Sequence, residues 1–221
     1  MKTSQILMAT ALLAALAAPL AHAASTVVLK ENFNNVGSLA NWVQANRSSP
    51  AGQGWFQGNA DIFATQTGPA GSYIGANYLS AALGSGSIDN WLITPELTLG
   101  GATHLSFFTR TLTTPGYNDT LEVRYSAGSG TDASGFSTLL GTIGGASAYP
   151  GSWQEFTAHL MQTAATGRFA FRYIGDASVA NYIGIDNLTV SVTAVPEPAA
   201  WLMLALGLAA LPLLRRAQSN R

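Results

Sequence analysis

Apolar and polar positions alternate in short runs along the middle of the chain. Leu105-Ser106-Phe107-Phe108, Leu121-Glu122-Val123-Arg124-Tyr125 and Arg168-Phe169-Ala170-Phe171-Arg172-Tyr173 carry the pattern. A period of two puts alternate side chains on one face, so each run predicts a strand buried on one side. Clusters of Gly, Asn, Asp and Pro separate the runs and predict turns. Strands are expected at 27–33, 62–65, 91–93, 104–112, 120–126, 138–143, 153–159, 167–174 and 182–192. No stretch between them has the 3.6-residue apolar period of an amphipathic helix. About nine short strands at close spacing predict an all-β fold, a two-sheet β-sandwich of jelly-roll type.

Two continuous apolar runs break this alternation. Residues 6–20 are almost wholly apolar, follow Lys2 and precede Ala21-His22-Ala23, the small-x-small pattern of a cleavage site. They predict a secretory signal peptide over 1–23, cut after Ala23 and taking His22 with it. The second run, 199–214, is slightly shorter than the ~20 residues of a full membrane span. Arg215 and Arg216 follow it at once, as at the cytoplasmic end of a transmembrane helix. The expected organisation is a signal peptide (1–23), one β-sandwich domain (24–193) and a C-terminal segment (194–221).

Composition fits an exported domain. Of 221 residues only 10% are charged, 23 are Gly and none is Cys. Without Cys there is neither a disulfide framework nor thiolate chemistry. Residues 24–193 hold six Lys/Arg and ten Asp/Glu, a balance of −4 with no basic patch, which argues against nucleic acid as a partner.

The segment after the domain reads Val195-Pro196-Glu197-Pro198, then the apolar run, then Arg215-Arg216. It resembles the PEP-CTERM sorting signal of Gram-negative bacteria. The resemblance implies transient residence in the inner membrane and recognition by an exosortase, a cysteine transpeptidase that cuts near the motif. The protein would then pass to the cell surface or extracellular matrix. Two prolines hold such a motif extended and outside the helix, where a protease can reach it.

The domain carries a second likeness. Glu31-Asn32-Phe33, Trp55-Phe56-Gln57-Gly58-Asn59, Ser72-Tyr73-Ile74-Gly75-Ala76-Asn77-Tyr78 and Asn90-Trp91-Leu92-Ile93-Thr94-Pro95 occur in order. Asp119-Thr120-Leu121-Glu122-Val123-Arg124 follows, and the domain closes on Tyr182-Ile183-Gly184-Ile185-Asp186-Asn187. The set is similar to the choice-of-anchor J family, related to cleaved-adhesin and MAM-type jelly rolls. That likeness implies a β-sandwich and no particular reaction. In related adhesin-like jelly rolls, acidic residues near the paired terminal strands help hold calcium, which makes Glu31 and Asp186 candidates. Asp89 and Asp176 are two more, since Ca²⁺ takes several hard oxygens. The competing reading has all four as strand-edge and turn residues holding backbone N–H groups.

Other chemistry is thinner. A glycosidase needs two carboxylates across a cleft, and Asp119, Glu122 and Glu155 are available. There is no G-x-S-x-G elbow, and no cluster spaced for zinc. His104 and His159 read as isolated strand residues. Exposed Trp and Tyr rings stack on sugars, so Trp42, Trp55 and Tyr117 are candidate ligand contacts, while Trp91 and Trp153 read as core. Arg110, Arg124, Arg168 and Arg172 would form a polar outer face. The function expected from these observations is adhesion, glycan or matrix binding, or biofilm structure, without catalysis. The alternative is a secreted polysaccharide hydrolase with an unidentified carboxylate pair.

Overall fold

The computed structural model describes residues 24–162 and 165–194. The predicted signal peptide lies outside the described residues, as do Val195, Pro196, Glu197, Pro198, Arg215, Arg216 and the apolar run at 199–214. Twelve strands succeed one another among the described residues. They are β1 (Ser25–Glu31), β2 (Val43–Asn46), β3 (Phe56–Gln57), β4 (Ile74–Asn77), β5 (Ser87–Ile93) and β6 (Leu97–Thr98), followed by β7 (Gly101–Thr111), β8 (Thr120–Ala127), β9 (Thr138–Gly144), β10 (Gln154–Gln162), β11 (Thr166–Asp176) and β12 (Tyr182–Ala194). They form two antiparallel sheets. One runs β10-β7-β12-β4-β3, with β1 also on β12; the other runs β2-β5-β11-β8-β9, with β6 also on β11.

The long alternating strands sit at the centre of each sheet and supply the core between them. Leu105 and Phe107 face inward from β7, Ile183 and Ile185 from β12, Leu121 and Val123 from β8, and Phe169 and Phe171 from β11. Phe107 meets Phe171 edge to face across the two sheets, with ring centroids 5.0 Å apart. Burying one such ring contributes roughly 2–3 kcal/mol. The fold is thus the expected all-β sandwich, and no helix among the described residues is long and apolar enough to cross a membrane.

One expected strand is absent. Residues 62–65 form a turn and loop. Phe63 stacks on Tyr73 at 4.9 Å and meets Trp153 and Tyr182 edge to face, so its apolar side chain covers the outer face of the first sheet instead of joining a ladder. Arg110 lies 4.4 Å over the same Phe63 ring. Two arginines of the second sheet converge on Glu122, Arg172 from the neighbouring strand and Arg124 from the same one. Arg172 donates to Asp89 at 2.7 Å and to Glu122 at 3.1 Å, and Arg124 donates to Glu122 at 2.7 Å. Burial works to raise the Glu122 pKa, but the hydrogen bonds from both arginines outweigh it and hold the carboxyl below its ordinary range.

Candidate functional site

Three loops gather at one end of the sandwich: 78–86 after β4, 112–119 after β7 and 177–181 after β11. Backbone bonds tie them together. Tyr78 N–H donates to the Asn181 carbonyl at 2.9 Å, Asn118 N–H to that of Val179 at 2.8 Å, and Ala177 N–H to that of Gly86 at 2.9 Å. Asn181 adds side-chain bonds, its Nδ2 donating to the Leu112 carbonyl at 2.7 Å and to Thr114 Oγ1 at 2.8 Å.

Beneath these loops lies Asp119, almost fully buried. Its Oδ1 accepts from Tyr173 OH at 2.5 Å and Asn181 N–H at 2.8 Å, and its Oδ2 from Thr111 Oγ1 at 2.5 Å. Burial pushes the Tyr173 phenol well up, and the adjacent Asp119 charge adds to that, so the phenol stays a donor. One inward carboxylate therefore fixes β7, β8, β11 and the loop before β12 at a single point. An inward polar residue is tolerated because every lone pair it needs to share is met.

On this framework rests an open cleft of about 400 Å³, lined by Tyr78, Gly84, Thr114, Tyr117, Ser178 and Asn181 among others. The volume lies in the range of small-ligand sites. Tyr117 is 49% exposed and Tyr78 41% exposed. Gly84, with φ +66°, lets the Tyr78 ring lie against its backbone; a Cβ there would come within 2.8 Å of the ring. Asp176 accepts from Ser178 N–H at 2.9 Å and Ser178 Oγ at 2.8 Å, fixing the turn that forms one wall. Those two bonds lower its pKa. Exposed Leu83 and Val179 lie in the loops that form the cleft. The result is amphipathic: aromatic faces, with hydroxyl and amide groups between them.

The predicted aromatic contacts separate. Tyr117 is exposed as expected. Trp55, at 4% exposure, belongs to the main core and is no surface contact. The alternation of its neighbours is too short to reveal which face it occupies. Trp42 is half-buried and packs edge to face on Phe33 at 5.6 Å, so it too serves the core. Tyr78 joins Tyr117 at the cleft; its signal in the sequence is the Asn77-Tyr78 step out of a strand into a Gly-rich loop.

The acidic residues also separate. Among the described residues, no three of His, Cys, Asp and Glu approach closely enough to share an ion, so Glu31, Asp89, Asp176 and Asp186 do not form one site. Asp89 is taken by Arg172 and by Trp91 Nε1–H at 2.7 Å, and Asp176 by Ser178. Glu31 and Asp186 are different. The pairing of β1 with β12 ends at Glu31↔Leu188, which sets Asn32 beside the irregular stretch between Asp186 and Thr189. Asp186 is fully buried; its Oδ1 accepts from Asn187 N–H at 2.7 Å and its Oδ2 from Gln66 N–H at 3.1 Å. Burial nonetheless pushes its carboxyl up to about 6. Glu31 accepts from Phe33 N–H at 2.8 Å, while the neighbouring Asn32 Oδ1 is buried with no hydrogen-bond partner. Two carboxylates and an orphaned amide oxygen fit a hard, oxygen-liganded cation. Phe33 and Asn187, both in the left-handed region at φ 49° and 51°, shape the backbone on the two sides.

The possible catalytic carboxylates do not pair. Glu122 points outward from β8 and Glu155 outward from β10, on opposite faces of the sandwich. Both oxygens of Asp119 are occupied by its framework.

Two facing antiparallel sheets with a loop-built open cleft at one end define a β-sandwich domain. The chain belongs to the Cleaved Adhesin Domain family, whose model matches residues 26–192. It is similar to the K1 cleaved adhesin domain of Lys-gingipain from Porphyromonas gingivalis W83, at 26% identity and a TM-score of 0.59, covering 78% of this chain and 99% of that one. The K3 domain of the same protein is similar at 26% identity and a TM-score of 0.58, covering 76% and 99%. The K2 domain shares the fold at 21% identity and a TM-score of 0.54, covering 76% and 99%. No curated protein sequence matches the chain.

Proposed function

We propose that the chain is an exported, non-enzymatic adhesin that binds a glycan of the cell surface or extracellular matrix in the cleft between Tyr78 and Tyr117. The observation that carries this reading is the pair of half-exposed tyrosines on a rigid, hydrogen-bonded loop frame, with Thr114, Ser178 and Asn181 between them. A sugar ring offers apolar C–H faces and a rim of hydroxyls, and that wall offers the complement. Tyrosine supplies such contact area with little conformational entropy to lose. Membership of an adhesin family supports the reading, and so does the separation of Glu122 from Glu155. Titration of the host's extracellular polysaccharide tests it. Tyr117→Ala and Tyr78→Ala should each weaken binding about tenfold, the order of one lost stacking contact at ~1.4 kcal/mol, with the melting temperature nearly unchanged. Equal affinity in both variants overturns it.

We further infer that the chain is of the choice-of-anchor J type and carries a PEP-CTERM signal at Val195, Pro196, Glu197 and Pro198 ahead of Arg215 and Arg216. On this reading an exosortase-like transpeptidase cuts the chain near the motif at the inner membrane and releases the domain to the surface or matrix. The intact mass of the host protein should lack both 1–23 and the residues beyond the motif. A retained tail in the presence of the transpeptidase overturns it.

Calcium completes the proposal. Glu31, Asn32 and Asp186 would hold it where β1 meets β12, leaving Asp89 and Asp176 to their present partners. The bound ion would supply the positive charge that the buried Asp186 carboxylate lacks.

A further inference from the structure

His104 and His159 look unrelated in the sequence, fifty-five positions apart. The register of β7 and β10 sets them directly opposite each other, His159↔His104. Both point outward, because Thr103, Leu105 and Ala158 beside them face the core. The rings lie 4.6 Å apart between centroids, tilted by 45°. Met161 stands two residues along β10 from His159, on the same face, and is 69% exposed. Because it pairs with Ala102, it lies diagonal to His104. A side chain of that size is unusual on open surface beside small residues such as Ala102, Ser106 and Ser191.

We propose that His104, His159 and Met161 form a surface site for copper. With metal–nitrogen bonds of ~2.0–2.1 Å, an imidazole centroid lies roughly 3 Å from the ion, so centroids 4.6 Å apart subtend an angle of roughly 95° at it. That angle suits two imidazoles bound side by side to one metal. Met161 reaches the same point because diagonal neighbours on a sheet lie ~7–8 Å apart and the Met side chain is long and has three rotatable bonds. Two imidazoles favour Cu(II) over the other divalent first-row ions, and a thioether favours Cu(I) over Zn(II). The site lies on the outer face of the first sheet and uses none of the residues of the cleft or of the proposed calcium position. Ser106, Thr157 and Ser191 surround it on that face, and none of them carries a charge to repel the ion.

The test uses the full, untagged chain with His22→Ala, so that only these two histidines remain. Titration with Cu(II) is expected to give one bound ion, with an electron-spin resonance spectrum showing coupling to two nitrogens. His104→Ala and His159→Ala should each weaken Cu(II) binding at least tenfold while leaving the thermal melt of the metal-free protein unchanged. Met161→Leu keeps the shape and removes the sulfur; it should weaken Cu(I), measured by competition with a Cu(I) chelator, at least fivefold. Cu(II) binding equal in parent and histidine variants overturns the site. Unchanged Cu(I) affinity in Met161→Leu overturns the thioether ligand.

Discussion

Replacing Asp119 with alanine should be among the most damaging single changes to this domain, costing about 3–5 kcal/mol. The carboxylate is buried and accepts from Tyr173 OH, Thr111 Oγ1 and Asn181 N–H. Alanine leaves these donors without a partner where water has little access, and adds a cavity. For a domain of this size each kcal/mol lowers the melting temperature by ~2–4 °C, so a fall of about 6–20 °C is expected. Tyr173→Phe removes one hydrogen bond and leaves the carboxylate two others, so it should cost only about 1–2 kcal/mol. The variants should also differ in ligand binding. Asn181 bridges Asp119 to Leu112 and Thr114, so Asp119→Ala loosens the cleft wall below its own melting temperature. A melting point within about 3 °C of the parent would show that the three donors find other partners.

The proposed calcium position yields the second large effect. In protein stripped of calcium, stability should fall as pH rises from about 4 to 6. The Asp186 carboxyl is held at about 6 in the fold, against ~3.9 in an unfolded chain. Between those values the folded form keeps a proton that the unfolded form has shed, so raising the pH favours unfolding. The loss amounts to about 3 kcal/mol by pH 7, at ~1.4 kcal/mol per pH unit. Bound calcium reverses the preference, because the ion is attracted to the ionised carboxylate. At a hundredfold excess over its dissociation constant it should add about 2.7 kcal/mol. Thermal melts at pH 7 with calcium and with a chelator make the comparison. The chelator should lower the midpoint by several degrees in the parent and leave Asp186→Asn unmoved. Identical melts of the parent with and without chelator would remove calcium from the account.

Eight of the nine expected strands have counterparts among the twelve, because long alternating runs such as 104–112 and 167–174 carry a period no turn can mimic. The errors lie where the run is short. Ile62-Phe63-Ala64-Thr65 has strand-like composition, yet Phe63 is drawn to the Tyr73, Trp153 and Tyr182 rings by a pocket that exists only in three dimensions. Ile74-Gly75-Ala76-Asn77 has little strand character, yet Gly75 is required there: a Cβ would come within 2.8 Å of the Tyr182 hydroxyl. The site was less legible for the same reason. Tyr117 stands out in its Pro-Gly-Tyr-Asn-Asp loop, but Tyr78 becomes a wall of the cleft only once β4 and β12 are paired. His104 and His159 become neighbours only through strand register, which spacing along the chain does not encode. The face of Trp55 is not legible because Gln53-Gly54-Trp55-Phe56-Gln57 carries no period.

β12 runs from Tyr182, next to the cleft residue Asn181, to Ala194, one residue before Val195. Its 13 residues are flanked by β7 on one side and by β4 and then β1 on the other. A load applied at the cleft and resisted beyond Ala194 would run along this strand, perpendicular to its hydrogen bonds. Many bonds would then share the force and would have to break together. Pulling apart Ser25 and Thr193, which pair at the other end of the same strand, would open the β1 ladder one rung at a time. The domain is therefore mechanically anisotropic, stiffer to a load along β12 than to one that peels β1 away from it.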